Sequence, residues 1–178
     1  PGGAEVSAVS GDRLYVLDGA GIDIVGISNP SAPRKVARVD LSAYGAATTS
    51  VAARGDWVAV ALIADPKTSP GTVVLLNRAG KVKGVAQVGA NPDMVTFDAA
   101  GRLLVANEGE PANYTDRTLV SDPRGSVSVI DVARLNAGKR DAVRTIGFEE
   151  FDAGGPRAAE LDDDVRIYGP GASVSQDL

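Results

Sequence analysis

The chain has 178 residues, 44% hydrophobic and 23% charged, the composition of a globular domain large enough to bury a core. It has no cysteine and no histidine, which excludes disulfides, Cys/His zinc sites and histidine-based catalytic triads. The net charge of −5 argues against a nucleic-acid partner, and no apolar run reaches the length of a membrane span.

Pro1-Gly2-Gly3 brings neither an initiator Met nor an apolar leader, as expected of a processed chain or a piece of a longer one. The first predicted strands are Glu5–Val9, Leu14–Leu17, Gly21–Val25 and Lys35–Leu41, with the turn cluster Asn29-Pro30-Ser31-Ala32-Pro33 before the fourth. The same series returns as Thr49–Ala53, Trp57–Leu62, Gly71–Leu75 and Lys81–Val88, then as Met94–Phe97, Leu103–Ala106, Gly125–Val129 and Val143–Phe148. Gly11-Asp12-Arg13-Leu14-Tyr15-Val16 marks the repeat. It recurs as Gly55-Asp56-Trp57-Val58-Ala59-Val60 and as Ala100-Gly101-Arg102-Leu103-Leu104-Val105, at spacings of 44 and 45 residues.

Within each copy the second strand is apolar on both faces, as suits a strand packed between neighbouring sheets. The fourth alternates, as in Lys81-Val82-Lys83, which suits a half-exposed outer strand. Trp57 sits in a strand and reads as core. Helical periodicity is nearly absent; Val132–Asn136 and Glu149–Phe151 have room for one helical turn each.

A strand-built period of this length is that of a β-propeller blade. The expected fold is therefore all-β, a β-propeller of four-stranded blades, with three blades at about 4–41, 48–88 and 92–148. Residues 149–178 are expected to form an acidic excursion leading to a missing next blade. Closed propellers use four to eight blades, and three would leave raw sheet edges. The chain is thus expected to be the N-terminal part of a larger propeller; completion by another copy is the alternative.

The connection between second and third strands grows from Asp18-Gly19-Ala20 to 64–70 and then to Asn107–Arg124. The connection between blades is short twice and then becomes 149–178. Because strand direction alternates, both kinds of connection emerge on one face, where long loops usually carry function. Phe148–Asp164 holds seven carboxylates against one arginine, a net −6, so the acidity of the chain resides in this segment.

Four carboxylates of the third-blade loop, Glu108, Glu110, Asp116 and Asp122, stand among amide and backbone oxygens with Gly and Pro shaping turns. Calcium takes six to eight oxygen ligands from such loops, although EF-hand spacing is missing. The plainer reading pairs Glu108 and Glu110 with Arg117 and Arg124, or has them cap turns. Asp162-Asp163-Asp164 points its carboxylates in different directions and reads as a solvated loop. Asn113-Tyr114-Thr115 matches the N-glycosylation acceptor by a short and common pattern. Gly19-Ala20-Gly21 and Gly169-Pro170-Gly171 lack the strand–loop–helix context of a phosphate loop. No lone Ser or Lys has a partner that marks a nucleophile.

Three stretches carry a family resemblance. The first runs Asn91-Pro92-Asp93-Met94-Val95-Thr96-Phe97 and on through Gly101-Arg102-Leu103-Leu104-Val105-Ala106-Asn107-Glu108-Gly109-Glu110-Pro111. The second is Asp122–Asp131, and the third Asp164–Leu178 with Gly169-Pro170-Gly171-Ala172-Ser173. Together they resemble the choice-of-anchor I propeller domain of secreted and surface-anchored bacterial proteins. That domain is similar to mesenchyme-specific cell-surface glycoproteins, and its relatives are often labelled alkaline-phosphatase-like. The resemblance runs from about Val6 onward. It implies a propeller of seven-bladed type, export, surface attachment and further blades after Leu178, and it carries over no catalytic residue. Zinc-dependent alkaline phosphatases use His ligands, which this chain lacks.

The expected function is a non-catalytic extracytoplasmic propeller, secreted, periplasmic or on the cell surface, acting as a binding or scaffold module with calcium-ordered loops. Its expected partners are the remaining blades and other cell-envelope or surface-layer proteins. The alternative is a calcium-dependent phosphohydrolase of the propeller-phytase type. Glu108, Glu110, Asp116 and Asp122 would then hold the metal, and Arg117, Arg124 and Arg157 the phosphate.

Overall fold

The structure is a computed structural model, and it describes residues 6–112, 122–152 and 154–162. Among the described residues, three antiparallel four-stranded sheets follow one another along the chain. The first holds β1 (Ser7–Ser10), β2 (Arg13–Asp18), β3 (Gly21–Gly26) and β4 (Arg34–Asp40). The second holds β5 (Ala47–Arg54), β6 (Trp57–Ile63), β7 (Pro70–Asn77) and β8 (Val82–Ala90). The third holds β9 (Pro92–Phe97), β10 (Leu103–Asn107), β11 (Ser126–Ile130) and β12 (Val143–Ile146). Each sheet keeps sequence order, and its first strand packs on the first strand of the next, β1 on β5 and β5 on β9. These are three propeller blades, and among the described residues they do not close into a ring.

The core lies between the sheets in two layers. Tyr15, Leu17, Ile22 and Ile24 of the first sheet meet Val58, Val60, Leu62, Val74 and Leu76 of the second. The opposite face of the second sheet presents Ala59, Ala61, Val73 and Leu75 to Val95, Leu103, Val105 and Ile130 of the third. This explains the continuous apolar run of β6: Val58 through Leu62 alternate between two buried faces. Trp57 packs, partly buried, against the second layer.

The hairpin turns account for the unequal repeat spacing. Gly11-Asp12 and Gly55-Asp56 are two-residue turns with the glycine at φ +59° and +57°, the geometry of a II′ turn. In the third copy Asp98 and Arg102 are joined by a backbone bond of 2.9 Å, leaving three residues between them, with Gly101 at φ +83°. From the second copy to the third, the strand before the turn therefore repeats at 44 residues and the strand after it at 45. The residue preceding each of the first two turns also reaches the next blade: Ser10 Oγ donates to the Gly55 carbonyl at 3.0 Å, and Arg54 donates to the carbonyls of Asp98 and Ala99.

Both candidate helical segments form. Val132–Asn136 is α1, with Asp131 capping its N-terminus by accepting from the Arg134 N–H at 2.9 Å. It lies in the β11–β12 connection, where Leu135 packs on Gly84 of β8; a Cβ at Gly84 would stand 2.7 Å from Leu135 Cγ. Glu149–Phe151 is a single 3-10 turn. The last strand ends at Ile146, earlier than the expected Phe148, because the chain turns there into that 3-10 segment.

Candidate functional site

Asn91 sits between β8 and β9, buried, with φ +49°. The left-handed region disfavours side chains, and asparagine is among the few that enter it. This geometry turns both its backbone and its side chain toward the segment that follows β10. The Glu108 N–H donates to the Asn91 carbonyl at 3.0 Å, and the Gly109 N–H donates to the Ala90 carbonyl at 3.2 Å. The Asn91 amide nitrogen donates to Glu108 Oε2 at 2.7 Å and to Glu110 Oε2 at 3.2 Å. Lys67, from the β6–β7 connection of the neighbouring blade, pairs with Glu110 Oε2 at 2.5 Å. Two carboxylates thus converge on one amide and one ammonium.

The Glu108 carboxyl is held above its ordinary value. Desolvation is the largest cause, followed by the charges of Asp93 and Glu110, with Lys67 opposing. Gly109 between the two glutamates lies flat against the returning end of the same loop; a Cβ there would stand 2.3 Å from the Pro123 carbonyl oxygen. Asp122 is carried by that returning segment and is itself engaged in interactions. Asp116 lies outside the described residues, as do Arg117, Asp163 and Asp164. Asp162 is described and exposed. Among the described residues, no three His, Cys, Asp or Glu side chains converge as a metal cage. A calcium ion held by Glu108 and Glu110 would therefore need oxygens from elsewhere in the loop.

Beneath the loop, Asn107 is buried and donates to Ser126 Oγ at 3.1 Å and Ser128 Oγ at 3.0 Å. Gly89 lies against it closely enough that a Cβ would stand 2.7 Å from Asn107 Cγ. This polar rivet joins the end of β8 to the root of the loop.

The two long connections meet, as neighbours on one face should. Arg124 Nη1 donates to Asp152 Oδ2 at 2.6 Å, joining the end of the third-blade loop to the acidic segment after β12. Arg157 pairs with Glu160 at 2.7 Å and Glu150 at 3.5 Å, and stacks on Phe151 with 4.3 Å to the ring centroid. The partners shown for the glutamates are Asn91 and Lys67; of the expected partners, Arg124 is shown on Asp152 and Arg117 lies outside the described residues. Sequence reasoning assigned neither residue a site role. The available signal was an Asn-Pro step opening a blade and a lysine in the second-longest loop of the same kind.

Residues 6–178 match the Choice-of-anchor I domain model. The chain belongs to the choice-of-anchor I family. Its fold is similar to hydrazine synthase of Kuenenia stuttgartiensis, with a TM-score of 0.57 at 18% identity over 81% of this chain and 37% of that one. It is similar as well to a europium-containing methanol dehydrogenase, with a TM-score of 0.51 at 13% identity over 80% of this chain and 24% of that one. At these identities the likeness is one of fold, and this choice-of-anchor I chain spans well under half of either protein. None of the curated proteins matches it. No helix of the described residues is long and apolar enough to cross a membrane.

Proposed function

We propose that this choice-of-anchor I chain is a non-catalytic binding or scaffold module of a secreted or cell-envelope protein. Its working surface is the face bearing the third-blade loop and the segment after β12. The observation that carries this reading is the Arg124–Asp152 pair, which ties the two longest connections into one surface. Calcium is proposed to order that surface through Glu108, Glu110, Asp116 and Asp122. Carboxylates that converge on one amide repel each other, and a hard cation offsets that repulsion. The partners are the remaining blades of the same protein and other envelope or surface proteins, and the location is extracytoplasmic, as the family resemblance implies.

The phosphohydrolase reading needs cations available to clamp a phosphate. Arg124 and Arg157 are already engaged by Asp152 and by Glu150 and Glu160, which favours the scaffold reading. The test is calorimetric titration of the full-length protein with calcium, then assay of aryl phosphate hydrolysis with calcium present. The expected result is calcium binding in the roughly 10⁻⁴ to 10⁻³ M range of extracellular modules. It should weaken in Glu108→Gln, without turnover. Calcium-dependent hydrolysis lost in Glu108→Gln and Asp122→Asn overturns the scaffold reading, and absence of calcium binding overturns the proposed metal.

A further inference from the structure

At the opposite end of the sheets from these loops, a groove of about 240 Å³ runs between the first two blades, lined by Arg13, Ile24, Val36, Arg78 and Ala79. Its floor is apolar: Ile24 is fully buried, and Val36 on β4 is left 53% exposed. Its rim is cationic. Arg78, on the β7–β8 turn, is paired with Asp12, and its position is fixed by Tyr15, whose hydroxyl donates to the Arg78 carbonyl at 3.1 Å. Arg13 approaches the same Asp12 oxygen only to 3.9 Å, through Nε. Two guanidiniums therefore share the Asp12 carboxylate, and Asp56 stands close enough to act on Tyr15 as well.

Arg13 is the informative residue. A guanidinium carries five N–H donors in a fixed fork. The Arg13 side chain is 30% exposed, and among the described residues it donates no side-chain hydrogen bond, so its donors face water. It lies across Gly26, where a Cβ would stand 2.8 Å from Nη1 and 3.3 Å from Val36 Cγ2. The guanidinium is thus held beside an exposed aliphatic surface with donors to spare.

We propose that this groove binds the C-terminal carboxylate of a peptide chain ending in an aliphatic residue. The carboxylate would meet Arg13 in the two-pronged geometry guanidinium favours, and the terminal side chain would cover Ile24 and Val36. The volume falls below the roughly 300 Å³ at which drug-sized pockets begin, which suits a single residue, and the open side lets the rest of the peptide leave. This is the capture of a chain end by fixed donors, away from the loop face.

The test is calorimetric titration of the chain at neutral pH with an acetylated tetrapeptide ending in leucine, as free acid and as carboxamide, and with 4-methylpentanoate. The free acid is expected to bind about tenfold or more tightly than the amide, the usual weight of a charge-assisted pair. 4-Methylpentanoate is expected to bind more weakly than the peptide. Arg13→Gln should bring the free acid down to the affinity of the amide. Gly26→Ala, which displaces the guanidinium without removing it, should weaken the acid and spare the amide. Asp12→Asn removes the competing carboxylate and should tighten the acid. Equal binding of acid and amide, no binding of either, or undiminished affinity in Arg13→Gln overturns the proposal. So does 4-methylpentanoate binding as tightly as the peptide, which would make the ligand a small free acid.

Discussion

Two glycines of the second blade separate backbone conformation from space. Gly55 has φ +57° and nothing within 4 Å of the position a Cβ would take, so Gly55→Ala suffers only the left-handed backbone penalty. The expected loss is about 1–2 kcal/mol. At Gly71 no positive φ is involved, yet a Cβ would stand 2.4 Å from Pro92 Cδ and 2.7 Å from the Leu62 carbonyl oxygen. Backbone cannot yield as a flexible side chain does, so Gly71→Ala is expected to cost more, toward the roughly 3 kcal/mol of severe overpacking. Urea denaturation of both variants checks the order; a larger loss at Gly55 would contradict it. Asn91 combines the two effects. Asn91→Gly keeps the backbone geometry and loses only the amide that bridges Glu108 and Glu110, whereas Asn91→Ala loses both. Alanine should therefore be the less stable by about 1 kcal/mol or more.

At the scale of strands and turns, the repeat was legible because each copy carries the same apolar run after the same kind of turn. The single extra residue between the second and third copies is the third residue of the 99–101 turn, accommodated where Asp98 accepts from the Arg102 N–H at 2.8 Å through Oδ1. The site was legible only in part. Glu108 and Glu110 are two residues apart in a loop and could be grouped by eye, but Lys67 stands 43 residues before Glu110 in sequence. Only the side-by-side packing of blades joins them. The outer rung of the first blade shows a similar non-local set. Asp23 on β3 accepts from Lys35 at 2.6 Å and from Arg38 at 3.1 Å, both on β4, and Arg38 also donates to Asp18 at 2.7 Å. The hydrogen bond from Lys35, above all, holds the Asp23 carboxyl below the usual aspartate range. Between that lowered value and the ordinary one the unfolded chain binds more protons than the native one, so stability rises with pH across the window and is lost as pH falls through it. Asp23→Asn should thus be less stable than the parent at neutral pH, by no more than about 1 kcal/mol for so exposed a network. Denaturation curves at neutral pH and at about pH 3 should show the difference fading toward acid. A difference independent of pH would mean that the carboxylate charge is not its source.

At the scale of the molecule, the second blade differs from the other two, among the described residues, in having both faces covered. Among the described residues, the third blade is covered on one face only. Across β9 to β12, Met94, Ala106, Val127 and Ile146 stand opposite one another in register, so they share a face, and it is the face turned away from the second blade. Met94 is 50% exposed and Ile146 40%. The outward face of the first blade carries Val9, Leu14 and Val25 in register with Lys35, and Val9 is 56% exposed. A row of apolar residues spanning a four-stranded sheet is an association surface when nothing lies on it. The lysine ending the first-blade row is the kind of charge that discourages edge-on pairing, and Ile146 leaves the third-blade row without one. The 178-residue chain by itself is therefore expected to associate in a concentration-dependent way through the third blade more than through the first. Met94→Thr with Ile146→Thr should shift sedimentation velocity toward monomer, while the half-exposed positions keep the stability change small. The control is Val9→Thr on the first blade, expected to shift it less. An equal shift from Val9→Thr would assign the association to both faces alike, and no association in the parent chain would show that exposed rows of this size do not suffice.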